Sequence, residues 1–581
     1  MNVAQAVGRA LAAVGVDHVF GVVGSGNFHV TGGLVAGGAR FVAARHEGGA
    51  ATMADAYARM TGSVAALTVH QGCGLTNGMT GITEAAKSRT PLLVLAAEAT
   101  NPSSNFFVDQ DGLARAVGAV PARITSAETA VDEALAAAAL ALHERRTVLL
   151  NLPLEVQGRP APESWDDAAL AALALPAPEP AAPPGPEHVA TLAEAIARAE
   201  RPVFVAGRGS RAPAAAAAVR ALADRCGALL ATSAVAKGLW HDHAWSLDVS
   251  GGFATPAAAE LIHGADLIVG WGCSLNMWTM RHGRLIGPDA TVVQVDDTSE
   301  SLGAQCELTF GVLGDVALTA TAALEKLSRT GAPPGGPVGT PRGEPMVPTP
   351  EGAGDHGGGH TAYGYRTDAA RELLAASGRW RDVPYVDQSA EGRIDPRTLT
   401  IALDELLPAE RVVGVDSGNF MGYPSMFLDV PDELGFCFTQ AYQSIGLGLA
   451  TTIGAALARP DRLPVAALGD GGLMMAAAEL DTVARLGLPM VVVVYNDDAY
   501  GAEVHHFAPG GDPLDTVRFP PTDIAAIARG HGFSAVTVTA VDELGPVREW
   551  LDGSRDTPLL IDAKVTPDEP AWWLEEAFRG H

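Results

Sequence analysis

Residues 491–496 read VVVVYN, four valines and a tyrosine without a polar break. A run this short and uniformly apolar has no wet side, so it reads as a strand buried on both faces. Such strands belong to parallel sheets whose crossover helices cover them from either side. The pattern recurs along the chain. HVFGVV, RFVAA, VAALTV, PLLVLAA and TVLLNL come first, followed by VFVAG, DLIVGWG and TVVQVDD, then RVVGVD, PVAALGD and PLLIDAKV. Ala-rich stretches with helical character separate them, among them residues 47–60.

The expected fold class is therefore α/β, with three doubly wound parallel-sheet domains. Their expected limits are 1–170, 187–327 and 390–581, and the first and last are compatible with two similar sheets. A Pro/Ala-rich tract at 171–186 reads as one linker. A second, at 328–389, contains GAPPGGPVGTPRGEP and is expected to be loose. The formal charge of −28 argues against nucleic acid and anionic membrane as partners. Five scattered cysteines fit reduced thiols better than a disulfide framework. With no signal-peptide pattern and no long apolar run, a soluble, cytoplasmic protein is expected.

Two consecutive apolar strands of the last domain end in acid. PVAALGD runs into GDGG and an Ala/Leu/Met-rich helix expected to end at Gly487 and Pro489, and MVVVVY runs into Asn496, Asp497 and Asp498. Strand, glycine turn and helix N-terminus form an anion site, because free amides face one way. Adjacent parallel strands end on one sheet edge, where α/β ligands bind. Asp470 and Asp497 are thus expected to converge there, and two oxygen ligands beside a phosphate turn suit Mg²⁺. A GDG alone is a common turn; the whole order of strand, GDGG, helix, strand and NDD is far more specific.

That segment, GDGGLMMAAAELDTVARLGLPMVVVVYNDDAYG, resembles the thiamine diphosphate motif of the acetolactate synthase and 2-oxo acid decarboxylase superfamily. Carried over residue by residue, the resemblance implies that Asp470, Asp497 and the carbonyl of Ala499 hold Mg²⁺. It implies that Gly471 and Gly472 offer amides to the diphosphate, with Tyr500 and Gly501 also at the cofactor. Gly418 and Asn419, in VDSGNF, match further diphosphate contacts. Ile445, in QSIGLGLATTIGAAL, matches the bulky residue that props the cofactor in its bent form, and the Gln443 carbonyl would accept from its exocyclic amine. The sequence departs from the pattern at Asp497, where the superfamily usually has Asn. Asp498 is expected to point away, into solvent.

The first domain carries the other half of the resemblance. Glu47, in RHEGGAATMADAYARMTG, matches the Glu that hydrogen-bonds the aminopyrimidine ring. A carboxyl in an apolar pocket has a raised pKa and can protonate a ring nitrogen, which promotes removal of the thiazolium C2 proton. Taken alone, Glu47 could equally be a dipole partner of its helix. The resemblance places the two halves on different subunits, so a homodimer or homotetramer with active sites at the interface is implied.

Ser25 and His70, in GVVGSGN and VHQGCGLTNG, match active-site residues of benzoylformate decarboxylase. Gln110, in FFVDQDG, matches the active-site Gln of acetolactate synthases, and Glu503 falls where some decarboxylases carry a second Glu. Each also has a plain reading, as a satisfied polar residue behind the pocket or on a solvent-facing helix. The implied function is decarboxylation of a small 2-oxo acid with transfer of the acyl group to an acceptor carbonyl, as in acetolactate synthases. Simple non-oxidative decarboxylation is the alternative, with a catalytically retired homologue or a flavin enzyme behind it. For FAD, Gly207, Gly209 and Ala212 give a loose glycine pattern with Asp296 downstream. The pattern is weak and the flavin segment is replaced by CSLNMWTMRHGRL, so FAD is not favoured.

Overall fold

The computed structural model of the chain describes residues 1–329, 364–567 and Trp573. Three six-stranded sheets carry it, and every strand pairing in them is parallel. The first holds β1 (His18–Gly21), β2 (Arg40–Ala43), β3 (Ala65–Val69), β4 (Leu92–Glu98), β5 (Val120–Arg123) and β6 (Thr147–Pro153), in the order β2-β1-β3-β4-β6-β5. The second holds β7 (Pro202–Ala206), β8 (Leu229–Thr232), β9 (Ser246–Val249), β10 (Leu267–Trp271), β11 (Thr291–Asp296) and β12 (Phe310–Leu313), in the order β12-β11-β10-β7-β8-β9. The third holds β13 (Arg411–Val415), β14 (Phe436–Phe438), β15 (Leu463–Gly469), β16 (Val491–Asn496), β17 (Ser534–Val538) and β18 (Leu559–Lys564), in the order β14-β13-β15-β16-β18-β17. The first and third sheets thus share one strand order. All six residues of β16 are buried, as its uninterrupted valines require.

The chain forms two compact units. One comprises Met1–Glu179 with Asp387–Leu574 and therefore contains the first and third sheets together. Helix Glu47–Thr61 of the N-terminal part lies against helix Gly448–Ala458 of the C-terminal part. Small residues permit this: a Cβ on Gly454 would collide with the Met53 carbonyl. One hydrophobic cluster runs through both parts and includes Met53, Leu75 and Ile82 with Ile453, Leu468 and Leu480. Burial of that many aliphatic side chains, each contributing about 1.5–3 kcal/mol, holds the two sheets as one body.

The other unit, from Pro180 to Val386, has the strand order of dinucleotide-binding folds, with its switch point between β7 and β10. The glycines at that point have a packing reason of their own. A Cβ on Gly207 would strike the Gly272 carbonyl, and the Gly209 amide donates to that carbonyl at 3.1 Å. Residues 173–185 carry no helix or strand, in keeping with a linker. Much of the loose stretch expected at 328–389 lies outside the described residues. Its later part differs from that expectation: Thr367 caps helix Asp368–Ser377, and Tyr365 and Ala370 are buried in the core of this unit. Among the described residues, no helix is long and apolar enough to cross a membrane.

Candidate active site

At the C-terminal edge of the third sheet, β13, β15 and β16 lie side by side and each runs into an acid: Asp416, Asp470 and Asp497. Asp470 opens helix Asp470–Ala476, which the sequence suggested would run on to Gly487. It breaks instead, and a second helix spans Glu479–Leu486. The carboxyls of Asp470 and Asp497 hydrogen-bond each other. Burial, and then the charge of its neighbour, pushes Asp497 up to about 8. Burial raises Asp470 to about 6. Two acids in contact cannot both ionise cheaply in a partly dry site, which favours one proton held between them.

The turn around this pair is tight. A Cβ on Gly472 would collide with Asp416 Oδ2, and one on Gly471 would enter the ring of Tyr500. Tyr500 in turn stands edge-on to Phe519, with ring centroids 4.9 Å apart. Gly501 packs against Asp497 and Asn419, and Gly418, at φ +143°, turns the chain into the short helix Asn419–Met421. The Ala499 amide donates to Asp497. A cavity of about 370 Å³ opens beside Asp497, lined also by Arg393, His505, Arg518 and Phe519. Two carboxylates and main-chain oxygen are hard donors suited to Mg²⁺. Among the described residues no group of three or more His, Cys, Asp or Glu side chains could hold a metal, so further ligands would come from main chain, phosphate or water.

Asp498 is not the solvated residue expected. It sits at φ +56° and pairs with Arg393 at 2.6 Å, its side chain 13% exposed. Arg393 also donates to the Val565 carbonyl at 2.8 Å, so the ion pair ties the loop after β16 to the end of β18. Glu503 is half-buried on the first turn of helix Gly501–Phe507.

A second group gathers in the N-terminal part. Glu47 is the first residue of its helix, whose cap is His46, and Asn77 donates to Glu47 Oε2 at 3.1 Å. His70 lies beside it: a Cβ on Gly74 would sit 3.0 Å from His70 Cβ and 3.4 Å from Glu47 Oε1. His70 Nδ1 is 3.0 Å from the Gln71 carbonyl, which favours the tautomer with its proton on Nδ1. That leaves Nε2 facing Ser25 Oγ at 3.4 Å, with the exposed Phe106 edge-on at 5.1 Å. Gln110 has both ends engaged: it donates to Asn151 at 2.7 Å and accepts from the Gly72 amide at 3.3 Å.

Ser25, His70 and Glu47 thus form one cluster, and Asp470, Asp497, Gly471, Gly472, Tyr500, Gly501 and Asn419 another. No hydrogen bond or ion pair joins the two among the described residues. One of the links between the two parts of the chain is the buried Glu479, which accepts from the Arg45 and His46 amides, each at 3.0 Å, just before Glu47. Asp416, Glu479 and Asn77 were not singled out in the sequence. Asp416 carried the same signal as Asp470, an acid ending an apolar strand; the other two have no local mark.

Family comparisons match part of each of the three sheets. Residues 1–122 match the N-terminal TPP binding domain of thiamine pyrophosphate enzymes, residues 189–326 their central domain and residues 416–563 their C-terminal TPP binding domain. The chain is similar to a probable 2-ketoarginine decarboxylase of Pseudomonas aeruginosa, 29% identical over 94% of this chain and 90% of that protein. It is also similar to the acetolactate synthase large subunit of Parasynechococcus marenigrum, 26% identical over 97% of this chain and 88% of that one. Among solved structures, the thiamine diphosphate-dependent 4-hydroxybenzoylformate decarboxylase of Rhodococcus jostii RHA1 superposes with a TM-score of 0.75 at 21% identity. That alignment covers 97% of this chain and 99% of the other, and it shows the fold.

Proposed function

The chain belongs to the thiamine pyrophosphate enzyme family, and on that premise we propose that it decarboxylates a small 2-oxo acid with thiamine diphosphate and Mg²⁺, releasing an aldehyde. The bound cofactor supplies the electron sink that carries the charge left when CO₂ departs. Asp470, Asp497 and the Ala499 carbonyl hold the cation, and the amides of Gly471 and Gly472, with Gly418, Asn419, Tyr500 and Gly501 around them, hold the diphosphate. The Gln443 carbonyl and Ile445 receive the pyrimidine end. Glu47, oriented by Asn77, would hold a proton for the pyrimidine end of a cofactor bound on the partner subunit, and on this reading a homodimer is the smallest active form.

The observation that carries the choice of reaction is the Ser25–His70 pair, 3.4 Å apart at an open surface beside Phe106. Ser25 Oγ can donate to the substrate carboxylate. His70, when protonated, can deliver a proton from Nε2 to the carbon that has lost CO₂, since its Nδ1 is already held by a carbonyl. The balance is one 2-oxo acid anion and one proton in, one aldehyde and one CO₂ out. Long contacts of this kind commonly tighten when substrate binds.

Transfer of the acyl group to an acceptor carbonyl is the second reading, supported by the acetolactate synthase relative. Its weakness is Gln110, which is buried with its amide turned to Asn151 and Gly72 rather than to an open surface. Product analysis with a panel of 2-oxo acids, with and without added aldehyde, separates the two. Aldehyde and CO₂ in equal amounts support decarboxylation; a 2-hydroxy ketone or 2-hydroxy-2-acyl acid as main product overturns it.

A further inference from the structure

The segment 441–447 presents Gln443 and Ile445, and its side chains are exposed at 441–443 and half-buried at 444–446. Its backbone is nevertheless fastened at both ends by buried carboxylates. At the front, Glu84, fully buried on helix Cys73–Lys87 of the N-terminal part, accepts from the Ala441 amide at 3.1 Å and the Tyr442 amide at 2.6 Å. At the back, Asp416, 1% exposed at the end of β13, accepts from the Gly446 amide at 3.0 Å and the Leu447 amide at 3.2 Å. Between the clamps Gln443 stands at φ +57°, a left-handed conformation that a side chain bearing a Cβ adopts at a cost. The anchors at either end frame that strained residue.

Neither clamp is a spare ion pair. Burial alone would raise Glu84, but Arg59 and the two loop amides outweigh it and hold its carboxyl below the ordinary range. Arg59 is fixed in turn: it pairs with Asp55 and Glu84, each at 2.7 Å, and donates to the Phe438 carbonyl at 2.9 Å, just upstream of the same loop. Asp416 accepts from main-chain amides and also lies under Gly472 of the diphosphate turn.

We propose that Glu84 and Asp416 are positioning residues that set the 441–447 loop from opposite ends, so that the N-terminal and C-terminal parts of one chain jointly fix how the Gln443 carbonyl and Ile445 meet the pyrimidine end of the cofactor. The proposal rests on the reading of the site as a thiamine diphosphate site. Carboxylates accept from backbone amides more strongly than neutral groups do, which is why an exposed loop can stay ordered before anything binds.

Hydrogen exchange on the cofactor-free, full-length protein reads the clamps directly, and calorimetry with thiamine diphosphate and, separately, inorganic diphosphate, each with Mg²⁺, reads their effect. In wild-type protein the amides of 441, 442, 446 and 447 should exchange at least about tenfold more slowly than those of 443 and 444. Glu84→Gln should release 441–442 only and weaken thiamine diphosphate about tenfold, with inorganic diphosphate unchanged. Asp416→Asn should release 446–447 and weaken both ligands, because it also supports Gly472. If Glu84→Gln does not fold, the wild-type exchange pattern and Asp416→Asn decide: uniformly fast exchange through 441–447, or unaltered affinity in Asp416→Asn, overturns the proposal. Folded variants that bind thiamine diphosphate as wild type does overturn it too. Wild-type protein that binds no thiamine diphosphate, yet shows the protected loop ends, overturns the functional reading instead.

Discussion

The first and third sheets carry their strands in one order, yet corresponding strand ends hold opposite chemistry. Where β3 runs into His70, β15 runs into Asp470; where β1 leads to Ser25, β13 leads to Asp416 and Asn419. The sharpest contrast is between β4 and β16, which end in Glu98 and Asn496–Asp497. Glu98 is buried, and Arg123 meets it with two hydrogen bonds of 2.9 and 2.6 Å. Among the described residues Asp497 pairs with no such cation, and it faces another acid. A buried carboxylate with its own arginine is finished; one that faces a second carboxylate is waiting for charge from outside. Topology fixes where a ligand edge lies, and the residues one or two places past each strand decide what that edge can hold.

Four substitutions press on this contrast. The largest effect belongs to the half proposed to move protons: Glu47→Gln should lower turnover about 10²- to 10⁴-fold while leaving Mg²⁺ and diphosphate binding intact, by steady-state kinetics beside calorimetry. Wild-type turnover in this variant would remove Glu47 from the site. Next come the waiting acids: Asp470→Asn or Asp497→Asn should weaken Mg²⁺ at least about tenfold, because a ligand charge is lost rather than merely reoriented. Smallest is the finished acid. Glu98→Gln should cost about 1 kcal/mol in denaturant unfolding, since Arg123 is partly exposed, and should leave Mg²⁺ affinity alone. A Mg²⁺ defect there would erase the distinction between the two edges.

The pH dependence of stability sharpens the same point. Asp497 titrates near 8 in the folded protein and near 4 when unfolded. Between those values the unfolded chain has given up a proton that the folded one keeps. Cation-free protein should therefore lose stability as pH rises from about 4 towards about 8, and saturating Mg²⁺ should restore it. Melting temperatures measured across that range should fall more gently in Asp497→Asn. An equally steep fall in that variant would assign the effect to other groups.

Much of this was legible in the sequence because it is written locally. Unbroken valine runs dictate buried parallel strands, and an acid after a strand and glycines announces a charged sheet edge. That is how Asp470 and Asp497 stood out. The clamps were not legible, because their partners are remote: Glu84 accepts from amides 357 and 358 residues away, and Glu479 from amides 434 and 433 away. Asp498 misled for the same reason, its partner Arg393 lying 105 positions upstream. The break between the two helices after Asp470 falls at Ala477–Ala478, where alanine gives no stop signal.

On the proposed reading, Asp470 and Asp497 share a proton that a divalent cation displaces. Titration of Mg²⁺ into protein saturated with thiamine diphosphate, at pH 6.5 and 8.5 in buffers of differing ionisation enthalpy, tests it most directly. The account predicts tighter binding at the higher pH and release of about one proton per cation at the lower, with the release lost in Asp497→Asn. Binding that is independent of pH and releases no proton would contradict it.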